Sequence, residues 1–454
     1  MNKIKINEAV IACGGKLLKG DGEKYIKGAC IDSRIAVEGD LFAAIKGENT
    51  DGHKYLKQVS DKGAAAVLIS DETFADDAEC AVILCEDTTK GLQDIAKAYR
   101  NMLSMKIVGV TGSVGKTSTA DMVKAVCSVK YKTAKTKGNF NNHLGLPLTL
   151  LSFDPDTEVG ILEMGMDKLG EIDFLASLAR PDIGIITNVG MAHIENLGSR
   201  ENIFKAKMEI TNYFDENSIL VVNGEDEYLS TLSKAEYKID KVGTKGGCRF
   251  FLYDVKDLGE EGIAFTFEYN EKTVKVAMPV YGLHNALNAS LALSAGLELG
   301  VAPEDAAKGL AALEITDKRL SIKGKNGIKI IDDTYNASPD SMKSAIDVLV
   351  STKGIRKIAI LGDMFELGNM SESAHRDVGK YAAASGIDML ISIGNDSAYI
   401  SEEAKSGIRE VEHFEDKEAF YTVMDETIVS GDVVLLKGSN GMHMDQIVKK
   451  IMER

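Results

Sequence analysis

At 454 residues the chain is too long for one ordinary hydrophobic core, and its length points to roughly three domains of 100 to 200 residues each. Apolar residues make up 44% and charged residues 27%, no apolar run approaches the roughly 18 residues that span a bilayer, and the opening MNKIKINEAVIACGG soon reaches glycines, so a cytoplasmic protein with no membrane insertion is expected. A formal net charge of −16 excludes a general nucleic-acid binder, while six cysteines without a Cys-x-x-Cys pair and seven histidines without His-Glu-x-x-His argue for reduced thiols and against structural zinc.

In chain order, the segment to about residue 104 mixes short apolar runs such as DLFAAI and AAAVLIS with many glycines and reads as a small α/β unit. Its last helix is predicted over 88–103, where Leu92, Ile95, Ala96, Tyr99 and Leu103 recur at helical spacing. Asp32-Ser33-Arg34 and the glycine-rich stretch through Gly47 and Thr50 bring an arginine, hydroxyls and glycines into a compact region that could grip a phosphate-bearing ligand.

The stretch KIVGVTGSVGKTST, 106–119, is an apolar run that breaks into a glycine loop ending Gly115-Lys116-Thr117. Gly112 and Gly115 let backbone amides turn toward an anion, the next helix aims its positive end there, and Lys116 adds a mobile charge. Thr117 would place a hydroxyl on a magnesium ion. The usual earlier glycine of such loops is Val110 here, so this is the shorter Thr-Gly-Ser-x-Gly-Lys-Thr form. Lys132, Lys135 and Lys137 then precede GNFNNHLGLP, whose asparagines, Asn139, Asn141 and Asn142, are explained by loop chemistry.

Strands then alternate with helices through VGILEM, DIGIITNV and SILVVN, which predicts a mainly parallel sheet with ligands at the strands' carboxyl ends. Glu163 closes one strand where it could face Thr117 across a magnesium ion, although alone it reads equally as a solvent-facing strand end. The next strand runs on through Thr187-Asn188 to His193, carrying more polar groups to that edge. Lys207, in the helical FKAKMEI, reads by itself as a surface lysine. Between 249 and 280 a two-residue alternation predicts an antiparallel patch inside or beside this domain, and HNALNASLALSAGLELG predicts a helix ending at Gly300. After Arg319, IKIIDD, KIAILGD, MLISIG and VVLLKGS recur at roughly the βαβ period, a Rossmann-type pattern without its Gly-x-Gly-x-x-Gly.

Together these motifs resemble the Mur ligase family of peptidoglycan synthesis over nearly the whole chain. The resemblance implies three α/β domains: a small UDP-sugar-binding domain over 1–104, a central P-loop ATPase domain with a mainly parallel sheet over 105–314, and a Rossmann-like C-terminal domain over 315–454. The segments IDDTYNASPDSM, 331–342, and LGDMFELG, 361–368, are similar to those of the members that add a dipeptide. The implied activity joins D-alanyl-D-alanine to the terminal carboxylate of UDP-N-acetylmuramoyl-tripeptide through an acyl phosphate, in a cytoplasmic monomer using ATP and Mg2+.

By position, the resemblance assigns Gly112, Ser113, Gly115, Lys116, Thr117 and Ser118 to the ATP phosphates, Asn285 and Asn288 to the adenine, and Arg319 and Asn336 to the nucleotide from the C-terminal side. Thr117, Glu163, His193 and Lys207, the last as a carbamate, match the magnesium ligands, and Lys116, Lys207 and His193 the catalytic residues. Ser33, Arg34, Gly47, Thr50 and Asn142 match the substrate-binding residues. Two positions depart from the family: Lys168 stands where many relatives have histidine, and Asn440 where arginine is common. The competing readings are a sibling ligase adding one amino acid and a nucleotide-gated binding protein that ligates nothing. The convergent carboxylate, histidine and lysine disfavour the second, and the lack of Asn-Lys-x-Asp disfavours a GTPase.

Overall fold

The structure, a computed structural model, describes residues 3–48, 50–314 and 317–454. Among them three larger sheets follow one another along the chain. In the first, Gly28–Cys30, Asp40–Ala43, Ala66–Ile69 and Ala81–Leu84 run parallel, with Lys16–Lys19 antiparallel at one edge. The helix Thr88–Met102 begins where the Asp87 side chain accepts from the amide of Lys90, and it buries Leu92, Ile95, Ala96 and Tyr99 on one face. Tyr99 also donates from its hydroxyl to the carbonyl of Phe153 at 2.8 Å, tying the first unit to the second. One apolar cluster runs unbroken from Ile4 to Leu229, so the two units share a core.

The second sheet has nine strands. Lys106–Thr111 lies between Val159–Glu163 and Ile183–Ile186, parallel to both. Its side chains alternate between two cores, as a strand covered on both faces requires. Ile107 joins the cluster under Thr88–Met102, whereas Val108 and Val110 pack with Val123 and Val126 of the helix Lys116–Ser128 and with Ala289 and Leu293 of the helix His284–Glu298. The two-residue alternation after Arg249 forms Phe250–Asp257, which joins this same sheet parallel to Lys238–Gly243, and Ile263–Tyr269 and Lys272–Met278, which extend it antiparallel at its edge.

The third sheet places Ile328–Asp333, Asp432–Lys437, Arg356–Gly362, Met389–Ile393 and Glu410–Phe414 in parallel order, with Ser321–Lys325 antiparallel at one edge. Glu410–Phe414 and Ser321–Lys325 escaped the sequence reading because edge strands bury too little to show a clear apolar run; the pattern of Glu410–Phe414 is mostly exposed. The loops leaving the carboxyl ends of the second and third sheets face each other. The expected boundary at 314/315 meets Ile315 and Thr316, which lie outside the described residues.

Candidate active site

The loop after Lys106–Thr111 has the backbone its glycines require. Gly112 has φ 151°, and a Cβ there would lie 1.8 Å from Thr187 Oγ1. Gly115 has φ 87°, and a Cβ would meet Asn288 Nδ2 at 3.1 Å. Asn188 Oδ1 accepts from the amides of Ser113 and Val114 at 3.1 and 2.9 Å, while the Val114 carbonyl accepts from Thr187 Oγ1 at 2.6 Å. The polar end of the neighbouring strand is thus the scaffold of the loop. The first-turn amides of the helix Lys116–Ser128, which have no partners within the helix, remain as anion donors. Lys116 donates to the carbonyl of Gly112 at 2.7 Å, and burial lowers its pKa against the pull of the nearby Glu163 carboxylate.

Glu163 is only 1% exposed, which overturns its reading as a solvent-facing strand end. It closes a strand flanked by Lys106–Thr111 and Thr133–Lys135, and its amide donates to Thr136 Oγ1 at 3.0 Å. One carboxylate oxygen accepts from Thr117 Oγ1 at 2.9 Å, and the other is buried without a hydrogen-bond partner among the described residues. Burial pushes its pKa up. An orphaned carboxylate oxygen beside a hydroxyl, at the mouth of a phosphate loop, is a hard oxygen donor set that fits a small divalent cation such as Mg2+.

Lys207 is likewise not a surface residue. Helix Arg200–Met208 turns Ile203, Ala206 and Lys207 into the core, leaving Lys207 1% exposed. Among the described residues its amine makes no hydrogen bond or ion pair. Desolvation first, then the charge of Lys116, holds its pKa well below the ordinary lysine range. Sequence periodicity missed this because the helix is short and its neighbour Lys205 is exposed and paired with Glu201 at 2.9 Å.

From the opposite side, Arg319 stacks over the ring of Tyr335 at 3.9 Å, and the nearly buried Lys437 ion-pairs with Asp333 at 2.5 Å and donates to the carbonyl of Asn336 at 2.8 Å. On the helix His284–Glu298, Asn285 accepts from Asn288 at 2.9 Å and donates to the carbonyl of Tyr281 at 2.8 Å. His193 Nδ1 lies 2.6 Å from Glu366 of the third sheet's loops and 3.0 Å from Asp167.

A cavity of about 880 Å³ gathers these groups. Its walls include Ser113, Gly115, Lys116, Thr117, Ser118, Asn142, Glu163, His193, Asn285, Asn288, Arg319 and Asn336. Gly112 stands behind the loop and Lys207 behind the wall, so neither lines it. Asn142 also caps the helix Gly145–Ser152, accepting from the amides of Leu144 and Gly145 at 3.2 and 2.9 Å. Ser33, Arg34, Gly47 and Thr50 lie apart, on loops leaving the carboxyl ends of Gly28–Cys30 and Asp40–Ala43. There Arg34 grips Asp32 at 2.7 and 2.9 Å and Gly47 donates to the carbonyl of Thr50 at 2.9 Å. Asp167, Tyr335, Glu366 and Lys437 line the cavity although the residue patterns gave no reason to choose them; only their places in EMGMDKLGEI, DDTYNASPD, MFELG and KGSN hinted at it.

A phosphate loop with its lysine and a buried carboxylate, facing a Rossmann-like sheet across one cavity with a second, buried lysine behind its wall, define an ATP-dependent ligase of three α/β units. The models described as Mur ligase family, catalytic domain, as Mur ligase middle domain and as Mur ligase, glutamate ligase domain match residues 25–100, 110–296 and 318–440. The UDP-N-acetylmuramoyl-tripeptide–D-alanyl-D-alanine ligase of Bacillus subtilis is 42% identical over 435 residues, covering 95% of this chain and 94% of that protein. MurF from Acinetobacter baumannii superposes with a TM-score of 0.87 at 30% identity over 99% of both chains. MurF ligase from Thermotoga maritima, solved in complex with ADP, superposes with 0.82 at 29% identity over 94% of this chain and 97% of that one. The chain belongs to the Mur ligase family.

Proposed function

We propose that the chain joins D-alanyl-D-alanine to the terminal carboxylate of UDP-N-acetylmuramoyl-tripeptide with ATP, as a cytoplasmic monomer of peptidoglycan precursor synthesis. The observation that carries this reading is the single cavity where the phosphate loop, Glu163 and the loop around Asn336 meet, in a chain 42% identical over 95% of its length to a relative of that name. The domains follow the sheets, over 1–104, 105–314 and 315–454. Ser33, Arg34, Gly47 and Thr50 receive the UDP end and Asn142 the acceptor side.

In the reaction, an oxygen of the tripeptide carboxylate attacks the γ-phosphorus of ATP and ADP leaves, giving an acyl phosphate. The dipeptide amine then attacks the acyl carbon, loses a proton, and expels inorganic phosphate to form the amide. Attacker and target are both anionic in the first step, so positive groups must be placed beforehand. Gly112 and Gly115 let the amides of the loop and of Ser113, Thr117 and Ser118 wrap the phosphates. Lys116 leaves the carbonyl of Gly112 for the β- and γ-oxygens, and Arg319 and Asn336 approach from the C-terminal side. Asn285 and Asn288 wall the adenine. Thr117, Glu163, His193 and Lys207 would hold magnesium, which when bound neutralises phosphate charge. A neutral, buried Lys207 amine has the free electron pair that adds to carbon dioxide. The carbamate so formed, with release of a proton, replaces a repulsive cation by an oxygen ligand. Closing the cavity keeps water from the acyl phosphate.

The test is phosphate release from ATP with UDP-N-acetylmuramoyl-tripeptide, comparing D-alanyl-D-alanine with single amino acids. Turnover that requires the dipeptide is expected. Equal turnover with a single amino acid would assign the chain to a sibling ligase.

A further inference from the structure

Strands Ile328–Asp333 and Asp432–Lys437 lie side by side, and their register sets Asp333 beside Lys437 at the carboxyl ends. Lys437 is only 2% exposed, and its ammonium donates to Asp333 Oδ2 at 2.5 Å and to the carbonyl of Asn336 at 2.8 Å. Cohesion alone explains such a pair poorly. Taking both charges out of water cancels much of their attraction, and two hydrocarbon side chains would hold the strand ends together as well.

The other oxygen of Asp333 points to a use. Asp333 Oδ1 accepts from the amide of Leu320 at 3.2 Å, and the amide of Tyr335 donates to the carbonyl of Lys318 at 3.2 Å. These bonds pin the residues on either side of Arg319. Lys318 and Leu320 both have left-handed backbones, φ 61° and 52°, a conformation that a residue with a Cβ adopts only at a cost. Unpinned, the segment would relax out of it and Arg319 would turn with it. As held, the Arg319 guanidinium lies 3.9 Å from the centre of the Tyr335 ring and has no ion pair among the described residues. Across the cavity its charge favours the Glu163 carboxylate and disfavours protonation of Lys116.

We propose that Lys437 is a positioning residue for the nucleotide: through Asp333, and through the turn 333–336 that carries Tyr335, it holds the left-handed residues about Arg319 and so aims the guanidinium at the triphosphate. The inference rests on the ATP-dependent ligase reading and on the place that reading gives Arg319. Lys437 itself acts without touching the nucleotide. Phosphates entering the cavity meet a cation already fixed, so little ordering remains to be lost on binding.

The experiment titrates β,γ-methylene-ATP with Mg2+ into the full-length protein by calorimetry and follows the thermal melting of each variant. Lys437→Met keeps the side chain's length and removes its charge, and Asp333→Asn keeps the size; each is expected to weaken binding about tenfold, the weight of one charge-assisted contact. Arg319→Ala should do the same. Either of the first two combined with Arg319→Ala is expected to bind within about twofold of Arg319→Ala alone, because the clamp acts through that one guanidinium. A pair that merely stabilised the fold would lower the melting temperature and multiply its loss with that of Arg319→Ala. Multiplied losses in the double variants, or affinity within about twofold of wild type in both Lys437→Met and Asp333→Asn, overturn the proposal while Arg319→Ala still binds weakly. Unchanged affinity in Arg319→Ala would instead overturn the reading of Arg319 on which the proposal rests. Wild-type turnover that requires the dipeptide would leave the ligase reading standing in either case.

Discussion

Lys207 shows how a single residue can lower stability in the interest of chemistry. A buried amine without a partner is a liability that a hydrocarbon of the same length removes. Lys207→Met is therefore expected to stabilise the protein by about 1–3 kcal/mol in urea unfolding at neutral pH while abolishing turnover. Its folded pKa is lowered, so its contribution to stability is present above the ordinary lysine value of 10.5 and lost as pH falls through the folded value; the advantage of the methionine variant should shrink toward alkaline pH. Lys207→Ala should lose nearly all activity and regain part of it with short carboxylic acids, whereas unchanged activity would remove the carbamate from the mechanism. Glu163 has the opposite sign. Its folded pKa is raised, so its contribution is present below the ordinary 4.5 and lost as pH rises through the folded value. Glu163→Gln should then be more stable than wild type at neutral pH without metal, and a smaller gain in stability from added Mg2+ than wild type shows would identify it as a ligand.

At the scale of elements, the phosphate loop depends on its neighbours as much as on its own glycines. Asn188 and Thr187 hold Ser113 and Val114 from the adjacent strand, and Asn288 presses on Gly115 from a helix 170 residues further on. Gly115→Ala combines a left-handed φ of 87° with a 3.1 Å approach to Asn288. It should cost about 1–2 kcal/mol of stability and weaken ADP binding at least tenfold by calorimetry. ADP affinity within twofold of wild type would show that the first-turn amides alone make the phosphate site.

For the whole molecule, the cavity exists because two sheets present their carboxyl edges to each other. Met191 and Ile194 of the central unit pack against the core of the third, a Cβ at Gly368 would lie 3.1 Å from Glu195 Cγ, and Lys329 pairs with Glu260. This junction mixes a small apolar contact with polar ones, the composition of an interface that opens and closes. Placing a charge in the apolar part should open it. Ile194→Asp is expected to enlarge the radius of gyration and to raise the KM for ATP several-fold, with some loss of stability in the central unit because Ile194 also packs against its core. An unchanged scattering profile would show that the polar contacts suffice.

The local chain determined much of this protein. The strand, glycine loop and helix of 106–128 follow from apolar period, glycine permissiveness and helix polarity, all of which act over a few residues, and the motifs taken together carried the family resemblance, with the segments around Asn336 and Glu366 pointing to its dipeptide-adding members. Tertiary structure alone decided that Glu163 and Lys207 are dry, that the hairpins after Arg249 extend the central sheet, and that Asp167, His193 and Glu366 meet. Burial and encounter depend on which faces pack together across more than a hundred residues of chain, and a side chain's solvent and charge partners are set there, not by its neighbours in sequence.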